Sequence, residues 1–419
     1  MDTSIIQRKI LSVCPALSHR NFRLFWTGQC ISLIGTWMQN IGQAWLVLQL
    51  TNSPFKLGLV TAMQFLPVML FALFAGTLVD RFPKKTVLIF TQASLAILAT
   101  VLASLTYFKV VQYWHVLVLA ALLGIVNTLD MPTRQSFFVE LVGKEDLMNA
   151  IGLNSSVFNL ARILGPAVAG FLIALVGIGV CFYLNALSFL AVIVGLKMMD
   201  IKAPIVKLSV NKSLKNILVD IREGLTYIKS ITLIFYPLLL LAIISTFVFN
   251  FNVLVPIFAM QNLSQNVTGY GFMMTSIGIG SFIGALIITA RSKTGPRFKY
   301  LLGGALGTSL FLAILGFETN YILACVTLLV LGFCSIMFTT LVNSTIQLTA
   351  DDNMRGRVMS VFSLVFGGMT PIGSLYAGKL TEIAGAPGCM IISGTIGILG
   401  TLFILYRLYR RYQRPALNN

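Results

Sequence analysis

The chain has 419 residues, of which 57% are hydrophobic and only 10% charged, against roughly 25% charged in an average soluble domain. With a mean hydropathy of +0.88, no soluble fold of this size hides that much apolar surface, which excludes a cytosolic enzyme or a DNA-binding protein. The formal charge of +17 therefore reads as loops held at an anionic membrane face, with no nucleic-acid partner expected.

Cysteine and histidine usage points the same way. Cys14, Cys30, Cys181, Cys325, Cys334 and Cys389 form no CxxC pair, and His19 and His115 are the only histidines. No disulfide framework, metal centre or cofactor is expected. The N-terminal stretch shows no short apolar core followed by a cleavage site, so the first long apolar run is expected to be an uncleaved span.

Twelve apolar runs follow, each near the length needed to cross a bilayer. The first, 24–50, carries Gln29, Ser32, Thr36, Asn40 and Gln43 at steps of three and four, which is one helical face. The second, 57–79, ends in the turn Gly76-Thr77-Leu78-Val79-Asp80-Arg81-Phe82-Pro83-Lys84-Lys85. The third covers 86–108. The fourth, 113–134, opens on Tyr113 and Trp114, an outer interface belt, and sets Asn127, Asp130 and Arg134 on one face. The fifth, 150–176, contains Gly152, Ala161, Arg162, Gly165-Pro166 and Ala169-Gly170. After the sixth, 178–198, comes a Lys-rich, partly amphipathic stretch that reads as a surface linker.

The seventh, 233–259, has Thr246 and Asn250 on one face. The eighth and ninth cover 270–290 and 300–317. The tenth, 321–347, has Thr339, Asn343 and Gln347. The eleventh, 356–380, ends near Lys379 and Glu382, an exposed rim pair, and the twelfth is 387–406. The expected organisation is an N-terminal six-helix bundle (1–196), a cytoplasmic basic linker (197–232), a C-terminal six-helix bundle (233–406) and a cytoplasmic tail (407–419).

Orientation follows from the basic residues. If the spans alternate, 26 of the 30 Lys and Arg residues fall on one side, Lys56, Lys109 and Lys379 on the other, and Arg162 inside a span. By the positive-inside rule both termini and the linker are expected in the cytoplasm. The halves echo each other at an offset of 205 residues: Glu145-Asp146 falls opposite Ala350-Asp351, and Pro166 opposite Pro371. Duplicated halves around a central site are a recurring transporter plan.

The turn after the second span resembles the signature of the major facilitator superfamily, with Gly76, Asp80 and Arg81 in signature positions and Pro83 where the family prefers Gly. The fifth span resembles that superfamily's antiporter motif through Gly165 and Pro166, with Ala161 and Ala169 in two Gly positions. Exporters carry this pattern more than importers do. Asp130-Met131-Pro132-Thr133-Arg134-Gln135, Leu147 to Arg162 and Arg355-Gly356-Arg357 look like the branch of enterobactin-type siderophore exporters and macrolide efflux proteins.

The resemblance implies an all-α integral membrane protein, twelve transmembrane helices in two six-helix bundles. It implies a cavity lined by spans one, four, seven and ten, hence by Gln29, Thr36, Asn40, Gln43, Asn127, Asn250, Thr339 and Asn343. Asp130 and Arg134, at i and i+4, can pair within one helix; alternatively, as the resemblance implies, Arg134 bridges to Asp80 in a cytoplasmic charge latch.

The function expected is secondary active export of a small amphiphilic molecule, a drug or siderophore-like compound, by alternating access. A coupling proton is the expected partner besides substrate and lipid bilayer, with Asp130 the candidate coupling acid, and the functional unit is expected to be a monomer in the bacterial cytoplasmic membrane. A nutrient importer or facilitator of the same fold is the alternative. A membrane-embedded lipid enzyme would need a nucleophile–base or metal cluster that is not visible, and no nucleotide fingerprint supports an ATP-driven pump.

Overall fold

The computed structural model describes residues 14–79, 81–200, 214–290 and 297–413. All regular structure among them is helical. A short 3₁₀ turn (Pro15–Ser18) leads into α1 (Arg20–Thr51), α2 (Pro54–Val79), α3 (Lys84–Tyr107), α4 (Tyr113–Val142), α5 (Leu147–Val176) and α6 (Ile178–Lys197). The linker holds α7 (Leu214–Ser230). Then come α8 (Thr232–Phe247), α9 (Phe251–Ile257) with a π turn (Phe258–Asn262), α10 (Val267–Ala290), α11 (Phe298–Leu315), α12 (Tyr321–Thr349), α13 (Asp352–Gly368) and α14 (Thr370–Gln413).

Ten described stretches are long and apolar enough to cross a membrane, and the last, Asp352–Arg410, has the length of two crossings. α1 is also long enough at 32 residues, and its polar stripe is what lowers its hydropathy. α14 is two helices meeting at Gly385, whose φ of 71° is costly for a residue with a Cβ. The seventh span departs from the sequence expectation of one continuous helix: α8 and α9 are separated at Val248–Asn250.

Asp146 and Asp351, the acids placed in register by the offset of the halves, precede the first residues of α5 and α13 respectively. A carboxylate suits the positive end of a helix. Asp146 also meets His19 Nε2 at 2.8 Å, tying the start of α5 to the segment before α1.

The chain divides into two compact units. Unit one takes the residues up to Leu46 and Leu70–Asn211, unit two Val47–Met69 and Lys212 onward. In unit one, Phe22 and Phe25 of α1 pack among Leu88, Phe137, Phe138, Val192 and Leu196, with Phe25 and Phe137 edge-to-face at 5.5 Å. In unit two, α10 and α12 cross at Gly280 and Gly332, where an added Cβ would fall 1.8 Å from Leu329 O and 2.3 Å from Ile277 O. Lipid is as apolar as leucine, so such helices associate through close backbone approach at small residues.

α7 was expected only as a surface linker. Its apolar positions 214, 217, 218, 221, 225 and 228 recur at helical spacing, and it docks on α13. Glu223 pairs with Arg357, Tyr227 Oη accepts from Asp351 N at 2.9 Å, and Gly224 and Ile228 are buried.

Candidate functional site

In unit one, polar side chains of α1, α3 and α4 converge around one carboxylate. Asp130 on α4 is 1% exposed, and a carboxylate so deeply placed needs donors. It has three. Thr91 Oγ1 donates at 2.7 Å and Gln92 Nε2 at 2.8 Å, both to Oδ1, while Arg134 donates to Oδ2 from one turn away. The same guanidinium reaches Gln29 Oε1 on α1. Around this network Gln29 Nε2, Gln92 Oε1 and Arg134 Nε are buried without a hydrogen-bond partner.

The structure thus brings together three residues singled out in the sequence, Gln29, Asp130 and Arg134, and adds Thr91 and Gln92. Those two stand on a span that reads as plainly apolar, so no pattern in the chain marked them. Arg134 pairs with Asp130, the i,i+4 alternative to the latch. Asp80 lies outside the described residues, as do the surroundings of Gly76, so the bridge from Arg134 to Asp80 falls there too. Arg81 is exposed.

The rest of the α1 stripe is mixed. Thr36 Oγ1 donates to its own helix at Ser32 O, 2.9 Å. Thr36 and Asn40 are half-buried and Gln43 is buried, and Asn127 on α4 is half-buried. On α5, Gly165 and Pro166 are buried against α1: an added Cβ at Gly165 would stand 2.4 Å from Trp37 Cβ and 3.2 Å from Ile34 O. Trp37 also meets Phe158 edge-to-face at 5.8 Å. Arg162 NH2 donates to Asn159 Oδ1 at 3.0 Å.

In unit two the interruption of the seventh span centres on Asn250, 4% exposed. Phe249 N and Val248 N both donate to Ile244 O, and Asn250 N to Val248 O. Asn250 Nδ2 takes Thr246 O at 2.8 Å, the acceptor a regular helix would give to residue 250. The side chain thereby repairs the break it stands in. A Cβ at Gly373 of α14 would fall 2.6 Å from Thr246 O and 2.7 Å from Asn250 Oδ1, so glycine is what lets the eleventh span pass the interruption. Phe249 is flanked by Phe251 and Phe338 at 5.9 and 6.4 Å. Irregular backbone at membrane depth is tolerated where protein or a watery cavity surrounds it. On α12, Thr339 Oγ1 donates to Ser335 O at 2.9 Å and Asn343 Oδ1 accepts from Gln347.

Twelve spans, an interrupted helix and buried polar networks define a polytopic carrier of the major facilitator fold. The nucleoside transporter NupG shares that fold, with a TM-score of 0.70 at 14% identity, covering 92% of this chain and 98% of the other. The chain belongs to the transmembrane secretion effector family, whose model matches residues 11–415. Among curated relatives, the staphyloferrin A transporter of Staphylococcus aureus is 24% identical over 87% of this chain and 90% of its own. Macrolide efflux protein A of Streptococcus pyogenes is 22% identical over 90% and 93%. The chain is a multi-pass protein of the bacterial cytoplasmic membrane and a transporter of the major facilitator superfamily.

Proposed function

We propose that the protein exports a small amphiphilic molecule in exchange for protons, by alternating access of two six-helix halves, with both termini in the cytoplasm. Family membership and relatives named for macrolide efflux and for staphyloferrin A transport support export over nutrient uptake. The observation that carries the coupling is the state of Asp130. Its carboxylate is buried and accepts from three donors, one of which, the Arg134 guanidinium, also reaches Gln29. In the proposed cycle Asp130 carries the exchanged proton, and Arg134 changes partners between Asp130 and Gln29 as it does so. Proton occupancy of Asp130 and the position of Arg134 are thus two descriptions of one switch.

The polar stripes expected from the sequence, Gln29–Gln43 and Asn127 in unit one and Asn250 and Thr339–Asn343 in unit two, are the proposed substrate contacts of each unit. The test is transport in inverted membrane vesicles carrying an imposed pH gradient, with a panel of dyes, macrolides and siderophores. Accumulation that collapses when the gradient is dissipated is expected for the wild type. Undiminished movement without any ion gradient would indicate facilitated diffusion and end the antiport assignment.

A further inference from the structure

We propose that Arg162, with Asn159 and the Trp37–Phe158 aromatic pair, forms a recognition site for the carboxylate of an amphiphilic aromatic anion, so that the exported class is anionic. This rests on the export reading above and adds the substrate's charge to it.

Arg162 stands midway along α5, a 30-residue span. A cation at that depth is costly unless paired or hydrated. Among the described residues its partner is the neutral Asn159 amide at 3.0 Å, with no carboxylate in reach, and Nε is buried without a hydrogen-bond partner. The buried acid among the described residues of unit one is Asp130, and it already accepts from Arg134, Thr91 and Gln92. This guanidinium inside a span therefore has no acidic partner among the described residues.

The surroundings fit a ligand that is charged at one end and apolar at the other. Ser155, Asn159 and Arg162 follow at steps of four and three along one face of α5. Ser155 is exposed and Asn159 half-buried, and Asn159 Nδ2 is tied back to Ser155 O at 2.8 Å, leaving its Oδ1 on the guanidinium. Such a face is unfavourable against lipid tails and suits a water-filled cavity. Pro166 strengthens that reading: it lacks an N–H, so the Arg162 carbonyl four residues before it has no helical donor. One turn towards the start of α5, Phe158 meets Trp37 of α1, which provides an aromatic wall beside the cation. A guanidinium presents its donors as a fork matched to a carboxylate.

The test uses the full-length protein in nanodiscs, with cysteine introduced by Ser155→Cys two turns from Arg162, and follows its modification by an anionic and a cationic methanethiosulfonate reagent. Rates are taken relative to a free thiol, with the parent protein correcting for the native cysteines. A unit charge about 10 Å away through water biases the two reagents roughly fourfold in the anion's favour. We expect that bias in the Ser155→Cys protein, its loss with Arg162→Gln, and its retention with Arg162→Lys.

1-Naphthoate should slow the modification several-fold more than its neutral isostere 1-naphthamide, again only while residue 162 is cationic. An unreactive cysteine, a bias that survives Arg162→Gln, or equal protection by the acid and the amide would overturn the proposal. These are equilibrium and labelling readings without an ion gradient. They can fail while proton-driven export stands, and proton-driven export can fail while they succeed.

Discussion

Arg134 grips Asp130 from one turn further along α4, and the same guanidinium reaches Gln29 on α1. An intrahelical pair on an exposed helix stabilises by a few tenths of a kcal/mol. Here the carboxylate is buried, with Thr91 and Gln92 fixing its other oxygen, so the pair is also the bond that couples α4 to α1 and α3. The three attachments meet on the one carboxylate of Asp130. The proposed coupling step is placed there because a change at that carboxylate would reach α1, α3 and α4 at once.

Asp130→Asn removes the charge and keeps the shape. Breaking a buried pair by losing one partner costs roughly 3–5 kcal/mol, and Gln29 Oε1 remains to Arg134, so the loss should fall toward the lower end. The expected protein inserts at normal levels, melts several degrees lower and no longer couples substrate movement to a pH gradient. Proton release on substrate addition, measured with a pH dye in detergent, should vanish. Wild-type proton release in this variant would remove Asp130 from the mechanism.

Arg134→Lys tests the bridge between helices. An ammonium is a single point of charge and cannot span two acceptors as a planar fork does. It should keep the pair to Asp130 and lose Gln29, leaving stability near wild type while transport falls at least tenfold. If Gln29→Ala alone gives the same transport defect, the α1 contact is the part that matters. Full activity of both variants would mean that the reach to Gln29 has no role in transport.

Span positions were legible because apolar runs and basic turns follow directly from the bilayer's thickness and charge. Asp130 and Arg134 were legible as neighbours on one helical face. Thr91 and Gln92 were not, since two polar residues in an apolar run say nothing about which helix will face them. The interruption at Val248–Asn250 carries no Gly or Pro, and its cause is tertiary: Gly373 lets another backbone approach Thr246 O and Asn250. α7 did leave a signal, apolar residues at helical spacing through 214–228, but its docking on Arg357 and Asp351 needed the fold.

Within unit two, Gly58 of α2 and Gly378 of α14 make a second close crossing. A Cβ at Gly58 would lie 2.3 Å from Ser374 O and 3.1 Å from Gly378 Cα. Nearby, Ser53 Oγ donates to Glu382 Oε1 at 2.8 Å and Lys379 Nζ lies 3.6 Å from Glu382 Oε2. The rim pair is thus shared with Ser53, though exposed pairs of this kind contribute only about 0–1 kcal/mol. Gly58→Leu should therefore matter far more than Glu382→Gln: the first should raise thiol labelling of Phe55→Cys from outside the cell and impair transport, the second should do neither. Equal, small effects would show the crossing to be passive.

Topology is testable with reporter fusions. Those at the C-terminus and within 203–215 should report from the cytoplasm, and one within 261–268 from outside. A cytoplasmic signal from 261–268 would contradict a twelve-span arrangement in which the seventh span crosses despite its interruption.

The fifth span offers the sharpest test of conformational balance. Gly165 is so close to α1 that even one methyl group would sit 2.4 Å from Trp37 Cβ, well inside contact distance, so Gly165→Ala should already be felt and Gly165→Leu more so. Overpacking of this kind costs roughly 1–3 kcal/mol, comparable with the few kcal/mol that separate alternative conformers. Populations should therefore shift before folding is lost. The expected outcome is protein made at normal levels, export reduced in the order Gly, Ala, Leu, and a matching change in cysteine accessibility from the two sides of the membrane. Because Trp37 also carries the contact to Phe158, its fluorescence should change in step with the substitution. Normal export and wild-type labelling in Gly165→Leu would mean that α1 yields to the added side chain at no functional cost, and the small-residue contact on α5 would no longer argue for an exporter.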